Sequence, residues 1–350
     1  MITNILLLII GFFLLIKGAD LFVDGASNTA ANLKIPKIII GISIVAFGTS
    51  APELAISIKA MINGNGDIIF GNLIGSNIIN VSLILGIGAL ICPIIIKEHT
   101  IKNDVPFCLL ISTVLVILLL DNNISNISSN SITRSDAFII LCFFIIFVYY
   151  LIKLASDGDI KEKAKPKYKL LKSILFVIIG LAGIVLGSNL VVENATDIAK
   201  IIGISDRIIS LTIIAIGTSL PELVTVIVSS IKKEHELLLG NIIGSNVFNI
   251  CIVLGVPVAI FGNIMSVSFH LVDIIGLIGS TIILFIFALT HKRISRLEGA
   301  LLLLFFLVYY VIVFIIWKKS IFYIDFLFIN IKCYLIFVFK IWFFNIYINS

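Results

Sequence analysis

The chain matches itself. Displaced by 169 residues, GISIVAFGTSAPELAISI (41–58) lies over SLTIIAIGTSLPELVTVI (210–227), and GNLIGSNIINVSLILG (71–86) lies over GNIIGSNVFNICIVLG (240–255). The same displacement pairs Gly18 with Gly187, Asp24 with Glu193, Asn28 with Asp197 and Ala30 with Ala199. One register held without a slip over about 70 residues marks an internal duplication, so the two halves must fold alike.

The repeated material is membrane material. Of 350 residues, 60% are hydrophobic and 13% charged, against roughly 45–50% and 25% in soluble domains. The apolar residues fall in blocks near the roughly 20 residues that cross a bilayer as a helix. Coarse spans are 4–24, 38–61, 70–94, 105–120, 136–152, 171–191, 208–231, 238–261, 269–289 and 298–317. The first block has no basic leader and no small-residue cleavage site, so it reads as a mature helix rather than a signal peptide. Each repeat therefore holds five spans. An odd number sends the second copy into the membrane from the opposite side, which relates the halves by a pseudo-two-fold axis in the membrane plane. The expected fold is all-α and polytopic, with ten transmembrane helices in two inverted five-helix repeats. Residues 1–154 form the first repeat, 155–170 a cytoplasmic linker and 171–317 the second repeat. Residues 318–350 form a hydrophobic C-terminal extension, read as an eleventh helix, an interfacial hairpin or a loosely attached segment, with no role assigned.

Charge orients the expected fold. Odd-numbered loops carry sixteen Lys and Arg, seven of them between Lys153 and Lys172, whereas the even side up to residue 319 carries five. The positive-inside rule then places the odd loops in the cytoplasm and the N-terminus outside, in a plasma membrane. Lys17 and Lys59 lie within apolar blocks and are expected to snorkel. A formal charge of +5 spread over inner loops does not argue for nucleic acid. Five cysteines, Cys92, Cys108, Cys142, Cys251 and Cys333, have no metal-binding or redox spacing and read as buried thiols. No GxxxxGK[ST] segment occurs and no loop is large enough for an ATPase domain, which argues against ATP as a partner.

Chemistry concentrates in the repeated segments. Glu53 and Glu222 each lie deep in an apolar block beside a proline, with no basic residue close in sequence. A carboxylate at that depth costs several kcal/mol unless paired, protonated or bound to a cation. Pro52 and Pro221 disturb the helices, and Gly48 and Gly217 relax the same turns. Carbonyls near Ala46 and Thr49, and near Ala215 and Thr218, are expected to be released toward a cation. Thr49 and Thr218 precede their glutamates by four residues and are expected to share their helix face. In the GSNxxN segments, Ser76 with Asn80 and Ser245 with Asn249 present oxygens at i,i+4, while Asn72 and Asn241 are expected to bond neighbouring helices. Gly71, Gly75, Gly240 and Gly244 offer small surfaces for close packing. A donor set of oxygen alone suits sodium, calcium or magnesium rather than zinc or copper.

GTSAPE with GSNIIN, and GTSLPE with GSNVFN, resemble the two alpha-repeats of the sodium/calcium exchanger family, within the cation/calcium antiporter superfamily. The resemblance covers residues 1–317 and is nearest to the compact prokaryotic members. It implies exchange of sodium, typically three ions, for one calcium by alternating access, without enzymatic chemistry or a cofactor, in a chain expected to work as a monomer. It further implies that Glu53 and Glu222 bind calcium with the carbonyls of Thr49 and Thr218. Sodium would use the carbonyls of Ala46 and Ala215 and the hydroxyls of Ser76 and Ser245, and helices one and six would gate access. Asn249 stands where some members, including potassium-dependent ones, carry Asp. The residues leave calcium/proton antiport open as the alternative. A passive channel would need a continuous polar pore, and a purely structural protein would pair the glutamates with basic residues.

Overall fold

A computed structural model describes residues 1–124, 131–156, 165–201, 215–264 and 271–315, and among these the chain is almost wholly helical. The helices are α1 Ile2–Leu33, α2 Lys37–Ile62, α3 Gly66–Ile91, α4 Thr100–Leu120 and α5 Arg134–Ser156, then α6 Leu170–Ile201, α7 Ala215–Ile231, α8 His235–Phe261, α9 Leu271–His291 and α10 Arg296–Ile315. Eight of them are long and apolar enough to cross a membrane. A ninth, α2, qualifies as a bent pair, Lys37–Thr49 and Ala51–Ile62, with a 46° angle between its parts. In α7 the described part is Ala215–Thr218 and Leu220–Ile231, while residues 208–214 of the expected span lie outside the described residues. The chain divides into a large unit, Met1–Phe306, and a terminal unit, Leu307–Ser350, described only through residue 315. The expectation for 318–350, and that for Cys333, therefore lie outside the described residues.

Helices α1 and α6 overrun the expected spans 4–24 and 171–191, each reaching 32 residues. Polar residues in their second halves do not end them, because those side chains bond the helix's own carbonyls. Asn28 Nδ2 donates to Asp24 O at 2.8 Å, Thr29 Oγ1 to Gly25 O at 2.8 Å, and Asn194 Nδ2 to Leu190 O at 2.7 Å. At 1.5 Å per residue each helix is about 48 Å long, well beyond the roughly 30 Å hydrocarbon core, so both must tilt or project from it.

These two helices pack along one another, and the contacts run in opposite directions. A Cβ at Gly11 would meet Gly187 O at 3.0 Å, one at Gly18 would meet Gly180 O at 2.8 Å, and one at Gly25 would meet Ser173 O at 2.8 Å. The crossing is antiparallel. Gly180 is also the repeat-mate of Gly11, and Gly187 the mate of Gly18, so exchanging the halves maps the interface onto itself. Two equivalent helices packed antiparallel about such a point are related by a two-fold axis across their length, the inverted relation expected of five-span repeats.

The loops sort to two faces in the same way. On one face Lys37 pairs with Glu234, Lys97 with Glu236, and Ile94–Ile95 pairs antiparallel with Arg293–Ile294. Asn32 Nδ2 there donates to Tyr168 O, so all five odd-numbered connections gather on this face. On the other, Arg134 N donates to Asn263 Oδ1 and Ile132 bridges Ile264. Lys17 and Lys59 are exposed, as snorkelling requires. Of the described cysteines, Cys108 and Cys251 are buried, but Cys142 is exposed and Cys92 half-buried. The expectation of buried thiols therefore fails at Cys142, which lies on an outward flank of α5.

The core lies between the α1–α6 pair and the repeated segments. Gly240 packs on the backbone of Ile38 and Gly41, and Gly244 on Ile42 and Ala46. Their mates Gly71 and Gly75 meet nothing within 4 Å among the described residues, the corresponding partner stretch 207–214 lying outside them. Among the described residues, π-helical turns interrupt the core helices at Gly41–Val45, Ile79–Ile84 and Asn249–Leu254, and another opens α4 at Thr100–Asp104. Such bulges widen a helix and free backbone groups, and they concentrate at functional sites.

Candidate functional site

Both α2 and α7 break one residue before their proline-bearing segments. Ser50 and Ser219 take nearly the same backbone, φ −87° and −90° with ψ 6°, and Pro52 and Pro221 fall in the first turn of the segments that follow. A proline there has no N–H to offer the carbonyl four residues back. For Pro221 that carbonyl belongs to Gly217, and it accepts the Ser188 hydroxyl of α6 at 3.1 Å instead. The repeat-mate of Ser188 is Ala19, which has no hydroxyl, so this bond belongs to one half only.

The breaks put Glu53 and Glu222 in the first turns of the following segments, where amide dipoles favour a negative group. Each is 1% exposed. The Glu222 carboxylate bonds Ser50, three residues before Glu53, and no ion pair among the described residues involves either acid. Glu222 Oε1 accepts the Ser50 hydroxyl at 3.1 Å. Glu53 holds Asn72, whose Nδ2 donates to the Glu53 carbonyl at 3.3 Å.

The GSNxxN segments complete the centre crosswise. The Ala51–Ile62 segment packs on Asn249–Leu254 of the other repeat, and Leu220–Ile231 packs on Ile79–Ile84. Asn80 and Asn249 thus arrive beside the opposite repeat's glutamate-bearing segment. Asn80 Nδ2 donates to Asn246 Oδ1 at 3.1 Å, and Asn249 Nδ2 to Asn77 Oδ1 at 3.2 Å.

Buried oxygens without a hydrogen-bond partner collect on these elements: Glu53 Oε2, Glu222 Oε2, Ser219 Oγ, Ser245 Oγ, Asn80 Oδ1 and Asn249 Oδ1. Each such atom costs about 1–3 kcal/mol when left unpaired, and more when charged. Ser57 Oγ, Ser229 Oγ and Ser230 Oγ on the same segments are also unpartnered, and oxygens of this kind are the groups a bound cation would satisfy. Among the described residues no group of three His, Cys, Asp or Glu could hold a metal ion. The donors here are two carboxylates plus neutral hydroxyl and amide oxygens, which fits hard, exchangeable cations.

The other expected site residues fall as follows. Ser76 is buried one turn before Asn80, and Thr49 and Ala46 are fully buried. The Ala46 carbonyl is not released, since it accepts the Ser50 N–H at 3.0 Å and the Thr49 hydroxyl lies 3.4 Å from it. Thr49 does not share a helix face with Glu53, because the helix breaks at Ser50. Its hydroxyl crosses to Asn241 Oδ1 at 3.0 Å, and Asn72 and Asn241 both bond neighbouring helices as expected. Thr218 is half-buried and Ala215 opens its short helix. Ser50, Ser219, Asn77 and Asn246 were not among the expected site residues. Their signal lay in the repeat, since each pair recurs at the same displacement inside the two motifs. A cavity of about 470 Å³ lies between α2, α6 and α7, lined by Pro52, Ser188, Asn189, Gly217 and Thr218 among others. It meets the broken turns of both repeats.

Residues 3–153 and 172–315 match the family model described as sodium/calcium exchanger protein, once in each half. The chain is 37% identical over 315 residues to the putative antiporter CaxA of Alkalimonas amylolytica, covering 87% of this chain and 96% of that protein. It is 32% identical over 352 residues to the sodium/calcium exchanger MaX1 of Methanosarcina acetivorans, covering 90% and 100%. Among solved structures, the sodium-calcium exchanger NCX_Mj soaked with sodium and calcium superposes with a TM-score of 0.76 at 31% identity, covering 88% of this chain and 97% of that one.

Proposed function

The chain belongs to the sodium/calcium exchanger family, a family of polytopic membrane antiporters rather than enzymes, and we propose that it exchanges sodium for calcium at a single centre built from both repeats. The observation that carries this reading is the pair Glu53 and Glu222, each buried, without a basic partner among the described residues, and linked through the Ser50 hydroxyl bonded to Glu222, with unpartnered oxygens on the same segments. Two carboxylates leave a charge of −2 in a low-dielectric interior. One calcium ion neutralises it, as do two sodium ions, so the two cargoes compete for the same oxygens. That competition couples their fluxes without nucleotide or cofactor.

In this reading the carboxylates take calcium with the carbonyls of Thr49 and Thr218. Ser76, Ser245, Asn80, Asn249 and the carbonyls of Ala46 and Ala215 supply the oxygens that sodium needs. The α1–α6 pair is the moving part. Its glycine contacts hold the two helices in a close antiparallel seam, so they move as one unit. The cavity between α2, α6 and α7 is the route to the centre from the face opposite the basic loops. Those loops lie in the cytoplasm and the N-terminus outside, in a plasma membrane. The repeats are 1–154 and 171–317, joined by the linker 155–170, and a single chain suffices for exchange. Asn249 in place of an acid keeps potassium out of the cycle.

The test is calcium uptake into proteoliposomes loaded with sodium, against liposomes carrying only a proton gradient. Uptake that follows outward sodium supports the reading. Uptake driven by protons and indifferent to sodium overturns it in favour of calcium/proton antiport. Lys167→Ala is a control: among the described residues its bond runs from the backbone N–H to Asn28 Oδ1 at 2.7 Å, which the substitution keeps, so exchange stays at the wild-type level.

A further inference from the structure

We propose that Asn246 is a positioning residue that sets which end of the Asn80 amide faces the cation; the inference rests on the reading of the centre given above. A primary amide has an oxygen that a cation attracts and an NH2 group that a cation repels, and the two ends have nearly the same shape. An asparagine in a cation site is therefore useful only if something holds its orientation. Here a directed chain of bonds does so. The Asn77 carbonyl belongs to the backbone and can only accept, and it accepts Asn246 Nδ2 at 3.4 Å. That leaves Asn246 Oδ1 turned toward Asn80, where it accepts Asn80 Nδ2 at 3.1 Å. The remaining end of Asn80 is Oδ1, buried and without a partner. Polarity passes from an atom that cannot flip, through Asn246, to the oxygen offered to the centre.

The two halves differ here despite the repeat. Asn249 Nδ2 likewise donates to Asn77 Oδ1 at 3.2 Å, but Asn77 Nδ2 has no partner. The anchoring step from a backbone carbonyl is present only on the Asn246 branch. Both asparagines are about 1% exposed, so water does not compete for these bonds. Groups that orient a ligand without touching the metal change its affinity by about 10–100-fold when removed.

The test is a double-mutant comparison. Asn246→Ala is made in the wild type and in Asn80→Asp, whose carboxylate offers oxygen at either end and needs no orientation. In the wild-type background the calcium KM is expected to rise about tenfold with a smaller change in kcat. In the Asn80→Asp background the same change is expected to shift KM less than about twofold. The calcium-dependent rise in Tm of the purified protein gives the same comparison where exchange is too slow to measure. Equal loss in both backgrounds, or no loss in either, overturns the inference and makes Asn246 an ordinary packing residue. A wild-type protein with neither exchange nor calcium-dependent stabilisation would instead overturn the reading of the centre itself.

Discussion

The hydroxyl of Ser50, in the first repeat, donates to the Glu222 carboxylate of the second at 3.1 Å, so the second half does not hold its glutamate alone. A hydrogen bond to a buried charge contributes about 1.5–3 kcal/mol, roughly ten-fold or more in affinity. Ser50→Ala is therefore expected to raise the calcium KM about tenfold, and Ser50→Thr, which keeps the hydroxyl, to recover most of it. Initial rates of calcium uptake across a calcium titration give the answer. An unchanged KM in Ser50→Ala would mean that Glu222 is held by other contacts.

The buried glutamates predict a change of opposite sign in stability and in function. Each carboxylate is buried without a basic partner among the described residues, so replacing one by its neutral isostere removes a buried, unbalanced charge. Glu53→Gln or Glu222→Gln should abolish calcium exchange while raising the calcium-free Tm by about 2–4 °C. The calcium-induced rise in Tm should vanish in both. Surviving calcium transport in both variants would remove the glutamates from the site.

The amino-acid pattern carried the inversion and the two acids, because both are one-dimensional signals. Five spans per repeat state the topology, and an unpaired Glu among apolar residues stands out wherever it folds. Contacts between the repeats were not legible in the same way. Ser50 sits between a threonine and a proline-bearing turn and reads as a helix cap, and only the fold reveals that its hydroxyl spans to Glu222. The i,i+4 argument that joined Thr49 to Glu53 assumed an unbroken helix, and the break at Ser50 sends Thr49 to Asn241 instead. The antiparallel seam hid for a related reason. Gly11 is spaced as Gly180 is, but its contact partner is Gly187, the mate of Gly18.

That seam makes a prediction about motion. A Cβ on Gly180 would approach the Phe22 N at 2.5 Å and the Gly18 O at 2.7 Å, both backbone atoms that cannot step aside. Gly180→Ala should push α6 off α1 and slow turnover by about tenfold or more, while the calcium KM, set by α2, α3, α7 and α8, stays within about twofold. Gly279→Ala in α9 is the control, since its nearest neighbour is the Phe305 ring at 3.4 Å, an ordinary contact. Single-turnover exchange in proteoliposomes separates the two parameters. A raised KM with normal turnover would place α6 in the site rather than in the gate.

On the face that gathers the basic loops, Lys232 clamps α1 from the core. Its ammonium lies 2.6 Å from Asp20 Oδ1 and 2.8 Å from Asp24 Oδ1, and also donates to the Asp20 carbonyl at 2.8 Å. The repeat-mate of Lys232 is Asn63, and that of Asp24 is Glu193, so the opposite face has no equivalent ion pair from these positions. The clamp thus distinguishes the two faces that the duplication would otherwise make alike. The side chains are partly exposed, which limits such a pair to about 1 kcal/mol, or roughly five-fold in an equilibrium. Lys232→Gln should speed amide hydrogen exchange in residues 20–33 by up to about five-fold and leave residues 2–10 unaffected. Asp24→Asn should have a smaller effect, since the bonds to Asp20 remain, and adding it to Lys232→Gln should change little, because the contact it breaks is already lost. Additive effects of the two substitutions would show that they act through separate partners and that no clamp exists.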